Sequence, residues 1–166
     1  TPYAVARRLC MSARFSQHGG RIDYPAFVQP KLDGVRCIAI LEAGVCTLWT
    51  RTRKPITGVP HIVEAIEQQF SGVRWPGRPS WQKIVLDGEL YQHDYKDKFE
   101  QIVSFVRKRE PKIGHTVVEY HVYDVIEEGD MFAARTWTVE ELSLRAPLVT
   151  VETTEVDSLE EVMSMD

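Results

Sequence analysis

Apolar positions along the chain change period several times, and each change marks an element. Phe27 to Gln29 and Val35 to Leu41 read as strands flanking the turn Lys31-Leu32-Asp33-Gly34, and Glu42-Ala43-Gly44 leads to a third strand over Val45 to Thr50. Pro60 suits the first turn of a helix whose Ile62, Ile66 and Phe70 share one face, and the Gly- and Pro-containing stretch from Gly72 to Pro79 ends it. Lys83 to Tyr91 reads as a strand. A charged turn follows, then an amphipathic helix carrying Phe99, Ile102, Val103 and Val106, closed by Pro111 and Gly114. Thr116 to Ile126 is the longest β-favouring run and suits a central strand. A short strand is expected around Leu148 to Val151, and Asp157 or Ser158 could cap a last helix. At the start, Tyr3 to Met11 has the spacing of a short helix, and Ser16 to Asp23 reads as a loop.

Adjacent strands with few crossover helices predict an α+β domain, with antiparallel sheets flanked by helices. A chain of 166 residues without repeats or a linker suits a single folded unit. Composition changes this picture little. With 43% hydrophobic and 27% charged residues the chain is ordinary, and no apolar run approaches the roughly 20 residues that cross a bilayer. No export signal opens it, so the expected location is intracellular, with no membrane partner. Cys10, Cys37 and Cys46 lack C-x-x-C spacing, which argues against a zinc ribbon or disulfide framework, and they read as buried small residues. The five histidines show no H-x-x-x-H spacing and read as non-ligands. The net charge of −4 leaves no basic footprint, so contact with a phosphate backbone must come from a local patch or from elsewhere.

The chemistry concentrates in two segments. Gln29-Pro30-Lys31-Leu32-Asp33-Gly34-Val35-Arg36 can aim an amine, a carboxylate and a guanidinium at one ligand, although a charged hairpin with an Asp-Gly turn reads equally well from this segment alone. In Val85-Leu86-Asp87-Gly88-Glu89-Leu90-Tyr91 an apolar run leads into two acids, and a carboxylate inside a strand requires a partner.

Lys31-Leu32-Asp33-Gly34-Val35-Arg36 resembles the first nucleotidyltransferase motif of ATP-dependent DNA ligases, and Leu86-Asp87-Gly88-Glu89-Leu90 resembles their third. His121-Val122-Tyr123-Asp124-Val125-Ile126 is similar to the aromatic-Asp strand motif that follows, and Thr50-Arg51 to the short Ser/Thr-Arg element between the first and third. Phe99 to Arg107 also resembles a helix of some phage-type ligases. The order and spacing agree from Tyr3 to Ile126. Two departures stand out: Gln29 takes a position often held by Glu, and neither the family's Glu-Gly motif nor its lysine pair occurs before Asp166. The resemblance therefore implies that residues 1–166 hold an adenylylation domain incomplete at its C-terminus, without the oligonucleotide-binding barrel domain.

The resemblance also implies roles. Lys31 would be the nucleophile that attacks the α-phosphate of ATP, giving a lysyl-AMP that is passed to a DNA 5′-phosphate at a nick. A free lysine, with pKa about 10.4, must lose its proton first, which desolvation and nearby positive charge favour. Asp33 would orient the lysine or the metal, and Leu32 would line the nucleotide. Arg36 and Arg51 would hold ribose or phosphate oxygens through their planar donors. Glu89 would accept from a ribose hydroxyl or help hold Mg²⁺. Tyr123 would stack on the adenine, and the Gln29 amide oxygen would accept from its amino group. Asp87 is expected to shape its turn. Nicked duplex DNA is the implied partner of a monomer. An RNA ligase, a capping guanylyltransferase and an inactive binding module of the same fold remain alternatives, with Arg36 and the Leu-Asp-Gly-Glu-Leu run favouring the DNA ligase.

Overall fold

The computed structural model describes residues 26–70, 83–126, 143–152, 154–157 and 160. The expected elements at Tyr3 to Met11, Ser16 to Asp23 and Gly72 to Pro79 lie outside them, as does most of the expected last helix.

Six strands form the main sheet in the order β4-β3-β2-β5-β6-β7: β2 (Val35–Glu42), β3 (Val45–Trp49), β4 (Pro55–Ile56), β5 (Ile84–Tyr91), β6 (Glu119–Ile126) and β7 (Leu148–Thr150). Neighbours run antiparallel except β6 and β7, which are parallel. A second, two-stranded sheet pairs β1 (Ala26–Val28) with β8 (Thr154–Val156). The fold is α+β, as the pattern predicts, but the main sheet is mixed where antiparallel sheets were expected, because β7 joins the edge of β6 in parallel; β4 and β8, of two and three residues, are additions that short runs conceal.

Helix α1 (Pro60–Phe70) follows the predicted stripe, burying Ile62, Ala65, Ile66 and Phe70. Helix α2 (Phe99–Arg107) departs from it: Ile102, Phe105 and Val106 are buried while Phe99 is 45% exposed. Both helices belong to one apolar cluster with the face of the sheet that carries Cys37, Ala39, Leu86, Leu90 and Tyr120. The Tyr120 hydroxyl, fully buried there, donates to the carbonyls of Cys37 and Leu86 at 2.8 and 3.2 Å, which satisfies a polar atom the core would otherwise strand. Cys37 and Cys46 are free buried thiols, and burial pushes the second up to about 12; Cys10 lies outside the described residues.

The opposite face of the same strands is divided. Ile38, Ile40 and Val85 are fully buried on it, whereas toward its other end it presents Arg36, Asp87 and Glu89. Alternation along the strands explains how apolar core and polar site share two chains of neighbours. Among the described residues no helix is long and apolar enough to cross a membrane.

Candidate nucleotide site

The segment from Gln29 to Gly34 is not the turn of a hairpin. The strand before it, β1, pairs with β8, while β2 pairs with β3 and β5, so the segment passes from one sheet to the other. That overturns the plain hairpin reading and places the Lys-x-Asp-Gly motif at a junction. Lys31 and Asp33 are exposed on it, and Leu32 is half-buried.

Gly34 closes the junction against β5. Its amide donates to Glu89 Oε2 at 3.2 Å, and a Cβ at this position would meet Glu89 Cγ at 2.9 Å and, closer still, the carbonyl of Leu90. Only glycine admits this approach of one backbone to another. Glu89 is thereby held by the motif that carries Lys31.

Arg36 stands directly opposite Glu89 in the β2–β5 register, yet its guanidinium reaches along the strand to Asp87. Nε donates to Oδ1 at 3.1 Å and Nη2 to Oδ2 at 2.6 Å, a two-bond ion pair. The expectation that Asp87 shapes a turn is therefore wrong. It lies inside β5, 5% exposed, and the Arg36 guanidinium is the partner that its buried carboxylate needs. Burial pushes its pKa up and Arg36 pulls it back. For Arg36, burial works against the charge, but the Asp87 carboxylate outweighs it and the guanidinium stays firmly protonated.

Tyr123 reaches the site through a β-bulge. Asp87 faces Asp124 across β5 and β6, but Gly88 faces Val122, so Tyr123 is the extra residue. The bulge shifts the alternation of β6: Tyr120 and Val122 face the helical core on one side of it and Val125 on the other. Tyr123 and Asp124 consequently both fall toward the polar face, as bulges near functional sites commonly arrange. The Tyr123 hydroxyl donates to the Glu89 carboxylate, which, after burial, pushes the phenol strongly up. Gln29 Nε2 donates to the Tyr123 carbonyl at 3.3 Å, tying the junction to the bulge. Glu89 itself is raised by burial, opposed by the Gly34 amide, Tyr123 and Arg36.

The structure thus joins Gln29, Tyr123, Glu89 and Gly34 by hydrogen bonds, sets the Arg36–Asp87 pair beside them across the β2–β5 register, and leaves Lys31 and Asp33 exposed on the junction. Arg51 sits apart, exposed on the turn after β3, where Thr50 Oγ1 accepts from the Lys54 amide at 3.0 Å. Arg36 and Arg51 both line a groove of about 1270 Å³. Asp87 and Asp124 were the residues missed as buried members of this face, although Asp-Gly-Glu inside an apolar run signalled the first.

The family model described as "ATP dependent DNA ligase domain" matches residues 13–163. No curated protein matches the chain. Among solved structures, one described as "Pmar-Lig_Pre." aligns with TM-score 0.72 at 20% identity, covering 92% of this chain and 36% of its own. An ATP-dependent DNA ligase from bacteriophage T7 in complex with ATP aligns with TM-score 0.55 at 18% identity, over 82% and 51%. The ligase domain of M. tuberculosis LigD aligns with TM-score 0.55 at 22% identity, over 80% and 40%. At such identities these likenesses concern the fold, and the chain spans between about a third and a half of the structures it matches.

Proposed function

We propose that this chain, which belongs to the ATP-dependent DNA ligase family, works as an adenylylation unit: Lys31 takes AMP from ATP and the nucleotide is then passed to the 5′-phosphate of nicked duplex DNA. The observation that carries the reading is the Gly34 amide on Glu89. It couples the loop of the lysine to the buried carboxylate of Glu89, a ready acceptor for a sugar hydroxyl beside that loop.

In this reading the Lys31 amine, deprotonated, attacks the α-phosphorus. The new N–P bond forms as the bond to the bridging oxygen breaks, and pyrophosphate carries away the electron pair. Arg36, already oriented by Asp87, holds a ribose or phosphate oxygen without having to be immobilised on binding. Arg51 supports a phosphate from the groove side. Tyr123 lays its ring against the adenine, and Gln29 reads its amino group. Asp33 orients the amine, and Leu32 lines the pocket mouth.

Glu89 suits Mg²⁺ as well as a ribose hydroxyl. Mg²⁺ takes one or two carboxylates and fills its remaining positions with water and substrate oxygens, so the single carboxylate of Glu89 would be a sufficient protein ligand. Bound there, the ion would offset the negative charge of the phosphates. Nicked duplex DNA as partner, a monomeric state and an intracellular setting complete the reading.

The test is covalent labelling. Incubated with ATP labelled at the α-phosphate and Mg²⁺, the wild-type chain should take label. Lys31→Ala and Lys31→Arg should both lose it, because a guanidinium stays protonated and is a poor nucleophile. Label on either variant would remove Lys31 from its role.

A further inference from the structure

Helix α1 is fastened to the start of β6 through one histidine. His61, the second residue of α1, donates from Nε2 to the Val118 carbonyl at 2.6 Å. A carbonyl oxygen only accepts, so the neutral ring carries its proton on Nε2 and leaves Nδ1 bare. That Nδ1 is sealed from solvent and has no hydrogen-bond partner. The residues on either side of the bond, Val59, Ile62 and Val118, are fully buried.

The charges around the ring come from three elements. His115, opening the 3-10 turn His115–Val117, stands edge-on to His61 with ring centroids 5.2 Å apart, and its own Nδ1 donates to the Lys112 carbonyl at 2.8 Å. Lys112 is held elsewhere, its Nζ donating to Ser104 Oγ at 3.0 Å. Glu64 lies further along α1, and Glu119, which accepts from His121 Nε2 at 3.3 Å, opens β6. Both acids line, together with His61, a cavity of about 520 Å³ that shares no residue with the groove of Arg36 and Arg51 and that, among the described residues, no lysine or arginine lines. The first turn of α1 carries no acid, so the positive end of the helix bears on His61 unopposed there and disfavours an imidazolium.

We propose that His61 is an acid-released latch: its neutral ring fastens the first turn of α1 to the start of β6, and a proton taken from water at Nδ1 makes it let go and turn toward Glu64 and Glu119. In the latched position a second N–H would be a buried donor without an acceptor and would carry a charge into the core, which costs more than the single bond to Val118 returns. In the cavity the same imidazolium meets carboxylates and water. Burial pulls the His61 pKa below the ordinary histidine value; the Val118 carbonyl opposes that, His115 adds to the lowering, and Glu64 opposes it. An unfolded histidine takes its proton near about 6.5. Below that pH the unfolded chain therefore binds more protons than the folded one, and the stability that the latch contributes, complete above it, is lost as pH falls through the lower native value.

The test compares the wild-type chain with His61→Gln, whose amide can still donate to the Val118 carbonyl and cannot take a charge. Urea unfolding of both is followed from about pH 8 to about pH 5. Below about pH 6.5 the unfolding constant of wild type should rise relative to that of His61→Gln by up to about tenfold per pH unit, the limit for one proton. A second measurement needs only wild type. The His61 ring, followed by NMR, should titrate below about 6.5. The amides of Ala65 and Ile66, which donate back to the first turn of α1, should lose protection in the same window, relative to the intrinsic exchange rate at each pH, while those of β2 keep theirs. Parallel unfolding curves for the two proteins, a His61 ring that titrates at or above the ordinary value, or equal loss of protection in α1 and β2 would each overturn the latch. Neither ATP nor DNA enters these measurements, so they stand whatever becomes of the role of Lys31.

Discussion

On the polar face of β2 and β5 every charge meets a prepared contact: Arg36 grips Asp87 with two bonds, and Glu89 accepts from Gly34 and Tyr123. A short distance away, Lys54, Arg107, Lys108 and Arg109 stand exposed around a groove with no acidic residue among its described linings. The difference follows from solvent. A charge taken out of water must be paired inside the protein, whereas an exposed charge is hydrated and can wait for its counterion. The first region should therefore respond to mutation and pH, the second to salt, and each response can be pitted against the other.

The largest separation is expected in stability. Asp87→Ala leaves the Arg36 guanidinium half-buried without its carboxylate, and breaking such a pair typically costs about 3–5 kcal/mol. Lys108→Ala, by contrast, should fall within roughly 0.5 kcal/mol of wild type, as surface substitutions do. Urea denaturation of the two variants measures both. Replacing the pair together, as Asp87→Leu with Arg36→Met, should recover much of the loss, since apolar side chains of similar volume pack where a buried ion pair stood. Equal costs for Asp87→Ala and Lys108→Ala would erase the distinction between the two regions.

A smaller effect belongs to Tyr123. Removing an aromatic that stacks on a base costs about 1–3 kcal/mol, so Tyr123→Ala should weaken ATP binding by roughly 5- to 150-fold. Tyr123→Phe keeps the ring and loses only the hydroxyl on Glu89, so its effect should be mild. Titration calorimetry with ATP separates the variants. Unaltered ATP affinity in Tyr123→Ala would show that the bulge does not present its ring to the nucleotide.

The two regions also differed in how far the sequence disclosed them. Strand and helix periods were legible because alternation and the 3.6-residue stripe are local, and β2, β3, β5, β6 and both helices appear where those periods put them. The motif residues were legible because four short patterns keep a fixed order. What stayed hidden depends on contacts between distant residues. The pairing of β1 with β8 joins residues more than a hundred positions apart, and no local rule distinguishes it from a hairpin with β2. Asp87 read as a turn former because Asp-Gly is a turn signal, and the Arg36 partner that keeps it in a strand lies on another strand. The groove was invisible for a similar reason: net charge averages over the chain, and the segment after Lys54 approaches Lys108 and Arg109 through Thr57 and Gly58, some fifty positions away in sequence.

The smallest expected effect is the pH dependence that Glu89 imposes on stability. Burial, the leading influence, raises its pKa, and the Gly34 amide, the Tyr123 hydroxyl and Arg36 only partly oppose it. In the unfolded chain the same carboxyl titrates near about 4.3. Between that value and the raised native one, the folded protein binds more protons than the unfolded, so stability falls as pH rises through the window and is greatest below it. Other carboxylates titrate in the same range, and their contributions cancel when wild type is compared with Glu89→Gln. The difference between their urea midpoints, followed from acid to neutral pH, should therefore move against wild type as Glu89 ionises. Lys108→Ala should track wild type throughout, because lysine holds its proton across this range. If the wild-type and Glu89→Gln curves ran parallel, the Glu89 carboxylate would be hydrated rather than desolvated, and the contrast between a paired interior face and a waiting groove would lose its electrostatic basis.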